Sequence, residues 1–204
     1  MVRRKGYDIL KRALDIFFSL CLISFLLLPL AIIWLAVKLD SRGKGIFKQT
    51  RIGKNGIPFV CYKFRTMYDN SPHDRPTRSF DESDRYITCV GRFLRKTSLD
   101  ELPQLFNVLK GDMSIVGPRP LIPEEQEMHL KRDADGIYGL RPGITGLSQV
   151  RGRDMLCDEE KLRYDKEYLD SCSLLEDMKI LFLTLTKVLR CEGVKEKLRT
   201  KRAK

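Results

Sequence analysis

A chain of 204 residues can bury a real core without disulfide or metal staples, and holds one domain or one domain with an appendage. Lys and Arg outnumber Asp and Glu by 38 to 27, and the resulting +11 calls for an anionic partner: nucleic acid, an anionic membrane surface or a phosphorylated substrate. With 43% hydrophobic and 32% charged residues the chain is neither disordered nor polytopic. The six cysteines form no C-x-x-C pair, and only His73 and His129 are present. A thiolate zinc site, a disulfide framework and a His-rich metal centre are therefore not expected.

The first predicted element is apolar. Ile16 to Val37 is 22 residues without a charge, and as a helix it reaches about 33 Å, enough to cross a bilayer core. It is too long for a signal-peptide core and is followed by Lys38, Leu39 and Asp40 rather than a small-residue cleavage site. Pro29 lies mid-run, where it removes a donor and crowds the preceding turn, so a kink is expected there. Both flanks are basic: Arg3, Arg4, Lys5, Lys11 and Arg12 before, Lys38, Arg42, Lys44 and Lys48 after. A spanning helix concentrates its basic residues on one side. The expectation is a bent, re-entrant helix entering one leaflet, with a single-pass helix as the alternative.

Residues 46–67 place two β-prone stretches around Gly53-Lys54-Asn55-Gly56, a hairpin signal. Alternation on the second strand puts Val60, Tyr62 and Phe64 on one face and Cys61, Lys63 and Arg65 on the other. Two cations on one face can bind phosphate, or can simply be solvated. Residues 69–85 are polar with two prolines and read as a surface loop.

Ser98 to Asp112 reads as a helix with a defined start: Ser98 and Glu101 match a capping box, Pro103 suits an early position, and Gly111 ends it. Asp100 and Glu101 are then first-turn acids that complement the helix dipole. They are alternatively a catalytic pair, with Asp100 kept ionised as a nucleophile by free N–H groups and by Arg95 and Lys96. An acid pair also suits Mg²⁺, which shares its coordination between one or two carboxylates and substrate phosphates. Gly117-Pro118-Arg119-Pro120 is a rigid turn presenting one guanidinium, and residues 141–153 set Arg141, Arg151 and Arg153 among glycines. Arginine binds phosphate bidentately and glycine permits close approach, so the clusters together suggest a pyrophosphate-bearing substrate. No Walker loop, G-x-S-x-G or H-E-x-x-H occurs.

Beyond this, apolar positions 174, 175, 178, 181, 182, 185, 188 and 189 follow helical spacing, with Ile180 and Leu183 widening the stripe. It fits the globular core, the bilayer surface, or both. Residues 195–204 carry six basic residues and one Glu, suited to anionic headgroups, with nucleic acid as the competing reading.

The apolar run with Pro29, the segment Tyr62–Met67 (YKFRTM), Ser98–Pro120 (SLDELPQLFNVLKGDMSIVGPRP), Arg141–Arg153 (RPGITGLSQVRGR) and the Asp165 to Tyr168 stretch resemble the small monotopic phosphoglycosyl transferases, which are bacterial sugar transferases. The resemblance implies transfer of a sugar-1-phosphate from a UDP-sugar to a polyprenol phosphate such as undecaprenyl phosphate, with release of UMP and a requirement for Mg²⁺. It assigns Asp100 as the nucleophile that forms a covalent phospho-sugar intermediate, Glu101 as its partner in metal binding or proton transfer, and Lys63, Arg95 and Arg119 as phosphate ligands. Arg65, Arg141, Arg151 and Arg153 complete the expected substrate set. The family breaks its re-entrant helix at Ser-Pro, whereas this chain has Leu28-Pro29.

The expected fold is α+β and mainly helical. It consists of an N-terminal re-entrant helix (1–40), a cytosolic catalytic domain with a β-hairpin and interfacial amphipathic helices (41–194), and a polybasic tail (195–204). The expected location is the cytoplasmic face of the bacterial inner membrane, without a nucleic-acid partner. The rival readings are a membrane-tethered basic binding module and a glycosyltransferase that moves the sugar without its phosphate.

Overall fold

The structure, a computed structural model, describes residues 5–71, 83–152 and 155–190. Arg153, most of the 69–85 loop and the 195–204 tail lie outside the described residues.

Among the described residues the chain is mainly helical, with two small two-stranded sheets. Helix α1, Lys5–Asp40, is 36 residues long, or about 54 Å. It continues through Pro29 without interruption, so the expected kink is not marked by a break in the helix. Strands β1 (Ile46–Ile52) and β2 (Pro58–Phe64) form the expected antiparallel hairpin. Asn55 (φ 58°) and Gly56 (φ 72°) supply the left-handed residues its turn needs. After short helix α2 (Ser83–Tyr86), Thr88 caps α3 (Cys89–Thr97), its hydroxyl accepting from the Gly91 N–H at 3.0 Å. A 3-10 turn (Leu99–Glu101) leads to α4 (Gln104–Lys110). Strand β3 (Ser114–Val116), helix α5 (Gln126–Ala134), strand β4 (Gly143–Thr145, parallel to β3), and helices α6 (Leu147–Arg151), α7 (Asp158–Ser171) and α8 (Leu174–Leu189) follow.

The continuous helix expected over 98–112 is divided. Ser98 adopts a left-handed conformation (φ 59°) that ends α3, so its hydroxyl makes no capping bond and the capping box does not form. Pro103 stands at the start of α4, as its missing N–H favours, and Gly111 (φ 97°) ends it.

Both ends of α1 are fastened to the globular part. At the first end, Lys11 Nζ and Tyr7 Oη reach Asp177 Oδ2 on α8 at 2.7 and 3.0 Å. Arg12 donates to the carbonyls of Val108 and Leu109 at the end of α4, at 2.7 and 3.0 Å. Asp15 accepts from the Ile115 N–H at 3.0 Å. At the other end, Arg65 donates to the carbonyls of Val37 (3.0 Å), Ser41 (2.7 Å) and Arg42. There Asp40 also accepts the Val90 N–H at 3.0 Å. Between the ends, Leu30 and Val37 pack with Phe64 and Leu94, while Phe17, Phe25, Leu28, Ile32 and Leu35 stay exposed.

The expected stripe on α8 divides in an informative way. The core is met by Ile180, by Asp177, and by Thr184, whose hydroxyl lies 2.7 Å from that of Thr145. Leu175, Met178, Phe182, Leu185 and Leu189 point outward. The apolar face is thus mostly surface, because the domain is too small to cover so wide a stripe.

Candidate active site

The acidic pair sits where three elements meet: β2, the end of α3, and the 3-10 turn before α4. Asn107 sets the height of β2 against α4. It is fully buried, donates to the Val60 carbonyl at 2.6 Å and to Asp112 at 3.1 Å, and accepts from the Tyr62 N–H at 3.0 Å. That clamp brings Lys63, the residue after Tyr62, up to the acids. Gly91 lets α3 lie directly on the chain leaving β2, since a Cβ there would stand 2.1 Å from the Thr66 carbonyl oxygen. Arg95 follows one turn later.

Glu101 is the electrostatic centre. Its Oε1 accepts from Lys63 Nζ at 2.6 Å and from Arg119 Nη1 at 3.3 Å. Asp100 is buried beside it. Burial pushes the Asp100 carboxyl up to about 6; Lys63, Arg95 and Arg119 pull it down, while Glu101 adds to the rise. Desolvation therefore outweighs the surrounding cations, while the group still ionises near neutral pH.

Lys63, Arg95, Arg119, Asp100 and Glu101 come together as the sequence suggests. Other candidates go elsewhere. Arg65 is buried and caps the end of α1, because β2 stops at Phe64 and the chain turns toward the helix carbonyls. Arg141 donates to the Gly111 carbonyl at 3.0 Å and lines a small cleft with Tyr7, Lys11, Arg12 and Tyr168. Its charge and burial both depress the pKa of Arg12, burial more. Arg151 ends α6 in an exposed position.

One site residue escaped the sequence reading. Arg51 pairs across the hairpin with Phe59, two steps from the Gln49–Cys61 pair and four from Phe47–Lys63, so it shares the Lys63 face. Its Nη1 donates to the Pro120 carbonyl at 3.0 Å. Burial, then the nearby Arg119, lower its pKa to about 10. Alternation applied to the first strand as well as the second would have found it.

No group of three or more His, Cys, Asp or Glu side chains suited to a metal occurs among the described residues. Two adjacent carboxylates beside Lys63 and Arg119 fit a hard cation that shares its shell with a ligand's oxygens, rather than one held in a protein cage.

The chain thus combines an acid pair set among Lys and Arg side chains with one helix long and apolar enough to cross a membrane. Comparison with known proteins shows its family. The bacterial sugar transferase family matches residues 6–191, and the chain belongs to that family. It is 44% identical to the undecaprenyl-phosphate galactose phosphotransferase of Salmonella typhimurium, over 93% of this chain and 42% of that protein. It is 42% identical to the UDP-glucose:undecaprenyl-phosphate glucose-1-phosphate transferase of Escherichia coli, over 88% of this chain and 40% of that one. Exopolysaccharide production protein ExoY of Sinorhizobium fredii is 39% identical, over 90% and 87%. The chain thus spans about two-fifths of the length of several curated relatives and most of the length of others.

Proposed function

We propose that the protein transfers a sugar-1-phosphate from a UDP-sugar to a polyprenol phosphate, undecaprenyl phosphate in bacteria, and releases UMP. The observation that carries this reading is the buried Asp100 set against Glu101 inside the Lys63, Arg95 and Arg119 cluster. That arrangement suits attack on a diphosphate: a desolvated carboxylate for the bond to phosphorus, and fixed cations for the charge that builds on its oxygens.

In the first displacement Asp100 attacks the β-phosphorus. The bond between that phosphorus and the bridging oxygen breaks, and UMP leaves with the electron pair. The product is an aspartyl phospho-sugar. In the second, a phosphate oxygen of the polyprenol attacks the same phosphorus, and Asp100 leaves as a carboxylate. Lys63 and Arg119 hold Glu101 in place and face the diphosphate. Glu101 orients the acceptor or takes its proton. Asp100 and Glu101 are the residues that would hold Mg²⁺, which when bound neutralises diphosphate charge.

The membrane arrangement we infer is re-entrant, on the cytoplasmic leaflet of the inner membrane. Its support is the pair of latches on α1: a helix whose two ends bond to one domain does not place those ends on opposite sides of a roughly 30 Å hydrocarbon core. The basic flanks favour the same side for both ends. The outward apolar face of α8 then lies on the headgroup boundary. A lipid phosphate and a soluble nucleotide sugar meet at that depth.

The test is a panel of UDP-sugars with polyprenol phosphate and Mg²⁺, read by product nucleotide. UMP supports the proposal; UDP would assign transfer of the sugar alone, and no turnover across the panel a binding role. With label in the β-phosphate, the wild type retains label on the protein and Asp100→Asn does not.

A further inference from the structure

A buried ion pair lies behind the arginine loop, and the transfer reading gives it no part. Arg132 on α5 and Asp165 on α7 are only 4% and 1% exposed, and Arg132 Nη2 stands 2.5 Å from Asp165 Oδ2. The other carboxylate oxygen of Asp165 accepts from Ser148 Oγ on α6 at 3.0 Å. Arg132 Nη1 donates to the main-chain carbonyl of Arg119 at 2.7 Å. The following carbonyl, that of Pro120, receives Arg51.

A buried ion pair is weak evidence of stability, since desolvating two charges costs several kcal/mol for each ion and apolar packing often does as well. This one makes sense as geometry. The loop Gly117-Pro118-Arg119-Pro120 is fixed on its leading side by close backbone packing: a Cβ on Gly117 would stand 2.4 Å from the Arg141 carbonyl oxygen. The Gly117 N–H bonds the Thr145 carbonyl at 2.8 Å, and the Gly143 N–H bonds the Pro118 carbonyl at 2.9 Å. What remains is the trailing half, and there two guanidiniums grip successive carbonyls. A planar fork bridges a carboxylate and a carbonyl at a fixed angle; a lysine ammonium has no such fork.

We infer that Arg132, oriented by Asp165, is a positioning residue for Arg119, and that Asp165 ties the 117–120 loop and helix α6 to one scaffold. The inference rests on the transfer reading for what Arg119 does, and on geometry alone for what holds it. Arg132 touches neither substrate nor acid pair; it acts through the main chain of the loop. The Arg119 side chain, which reaches Glu101, inherits its aim from that main chain.

The test is a double-mutant cycle on the full-length protein in membranes, reading UMP release. Arg132→Lys keeps a cation beside Asp165 but gives up the fork. Its kcat falls roughly 100-fold, the cost of a displaced charge-stabilising group, with KM for the UDP-sugar little changed. In an Arg119→Ala background the same change lowers the rate no further. An equal loss in both backgrounds overturns the inference, because a general structural role does not depend on which side chain occupies position 119. Asp165→Asn, which keeps an acceptor for Ser148, repeats the cycle from the other partner and gives the same non-additivity. A separate measurement needs no turnover. Arg132→Lys speeds amide hydrogen exchange across residues 117–121 and at Gly143 while the 46–64 hairpin is unchanged. Unaltered exchange in that loop overturns the positioning role, whereas a wild type that releases no UMP while the loop responds overturns the transfer reading instead.

Discussion

Replacing Asp100 by Asn separates two things that mutation of a catalytic acid usually confounds. Burial holds this carboxyl near 6 against an ordinary value of 3.8. The folded chain therefore binds its proton more tightly than the unfolded chain does. Below about 3.8 both states are protonated and the side chain costs nothing. Between 3.8 and 6 the unfolded state ionises first and stability falls; above 6 the full cost is present. The rise makes that cost on the order of 3 kcal/mol at pH 8. Asn has the same shape and no charge to desolvate. Asp100→Asn should therefore abolish UMP release and yet melt higher than the wild type at pH 8, by roughly 6–12 °C for a chain of this size. The gain should shrink to well under about 1 kcal/mol by pH 4. Thermal unfolding of both proteins in lipid nanodiscs at pH 4, 6 and 8 measures it. A variant that melts lower at pH 8, or whose difference is the same at every pH, would refute the claim that desolvation dominates at position 100.

Further outcomes follow from the same geometry. On the proposed reading the attacking carboxylate must be ionised, so the wild-type kcat/KM should rise with pH and level off above an apparent pKa near 6; a pH–rate profile with a limb near 4 contradicts it. Glu101→Gln removes the charge shared by Lys63 and Arg119, so it should lower stability by about 1–3 kcal/mol as well as turnover, checked by denaturation and UMP assay. Asn107→Ala strands the Tyr62 N–H and the Val60 carbonyl, and should cost roughly 3 kcal/mol in the same denaturation measurement. Single cysteines at positions 6 and 44, both exposed, on a background lacking native cysteines, should both react with an impermeant maleimide in inside-out vesicles and neither in intact spheroplasts. Reaction of position 6 from the outside would make α1 a spanning helix.

What the sequence made legible and what it hid have separate physical causes. The hairpin was readable because Asn55-Gly56 and strand alternation are local signals. The apolar helix was readable because a bilayer imposes its own length. The acid pair was visible as a pair, but its setting was misjudged: Ser98-x-x-Glu101 looks like a helix cap, and the left-handed Ser98 instead closes the preceding helix. Arg65 parts from Lys63 because β2 ends one residue before it, where the carbonyls of α1 lie within its reach. Arg132 and Asp165 are 33 residues apart, and no local pattern joins them. Side chains that answer to distant main-chain groups leave no periodic trace.

The same contrast explains why the membrane helix bears on the chemistry. Arg12 closes the end of α4, the helix that the acid pair precedes; Arg65 closes α1 just past the Lys63 strand. Two of the latches on α1 thus act on elements that hold the site: Arg12 on α4, and Arg65 on the chain two residues past Lys63. Tilting α1 relative to the domain would pull on α4 at one end and on β2 at the other, which moves Asp100 and Lys63 apart. On the proposed reading, insertion depth and active-site geometry are therefore one variable. Arg12→Ala should accordingly lower turnover with polyprenol phosphate in bilayers even though Arg12 lies away from the acid pair. A variant with full activity and unchanged vesicle binding would show that α1 serves only as an anchor.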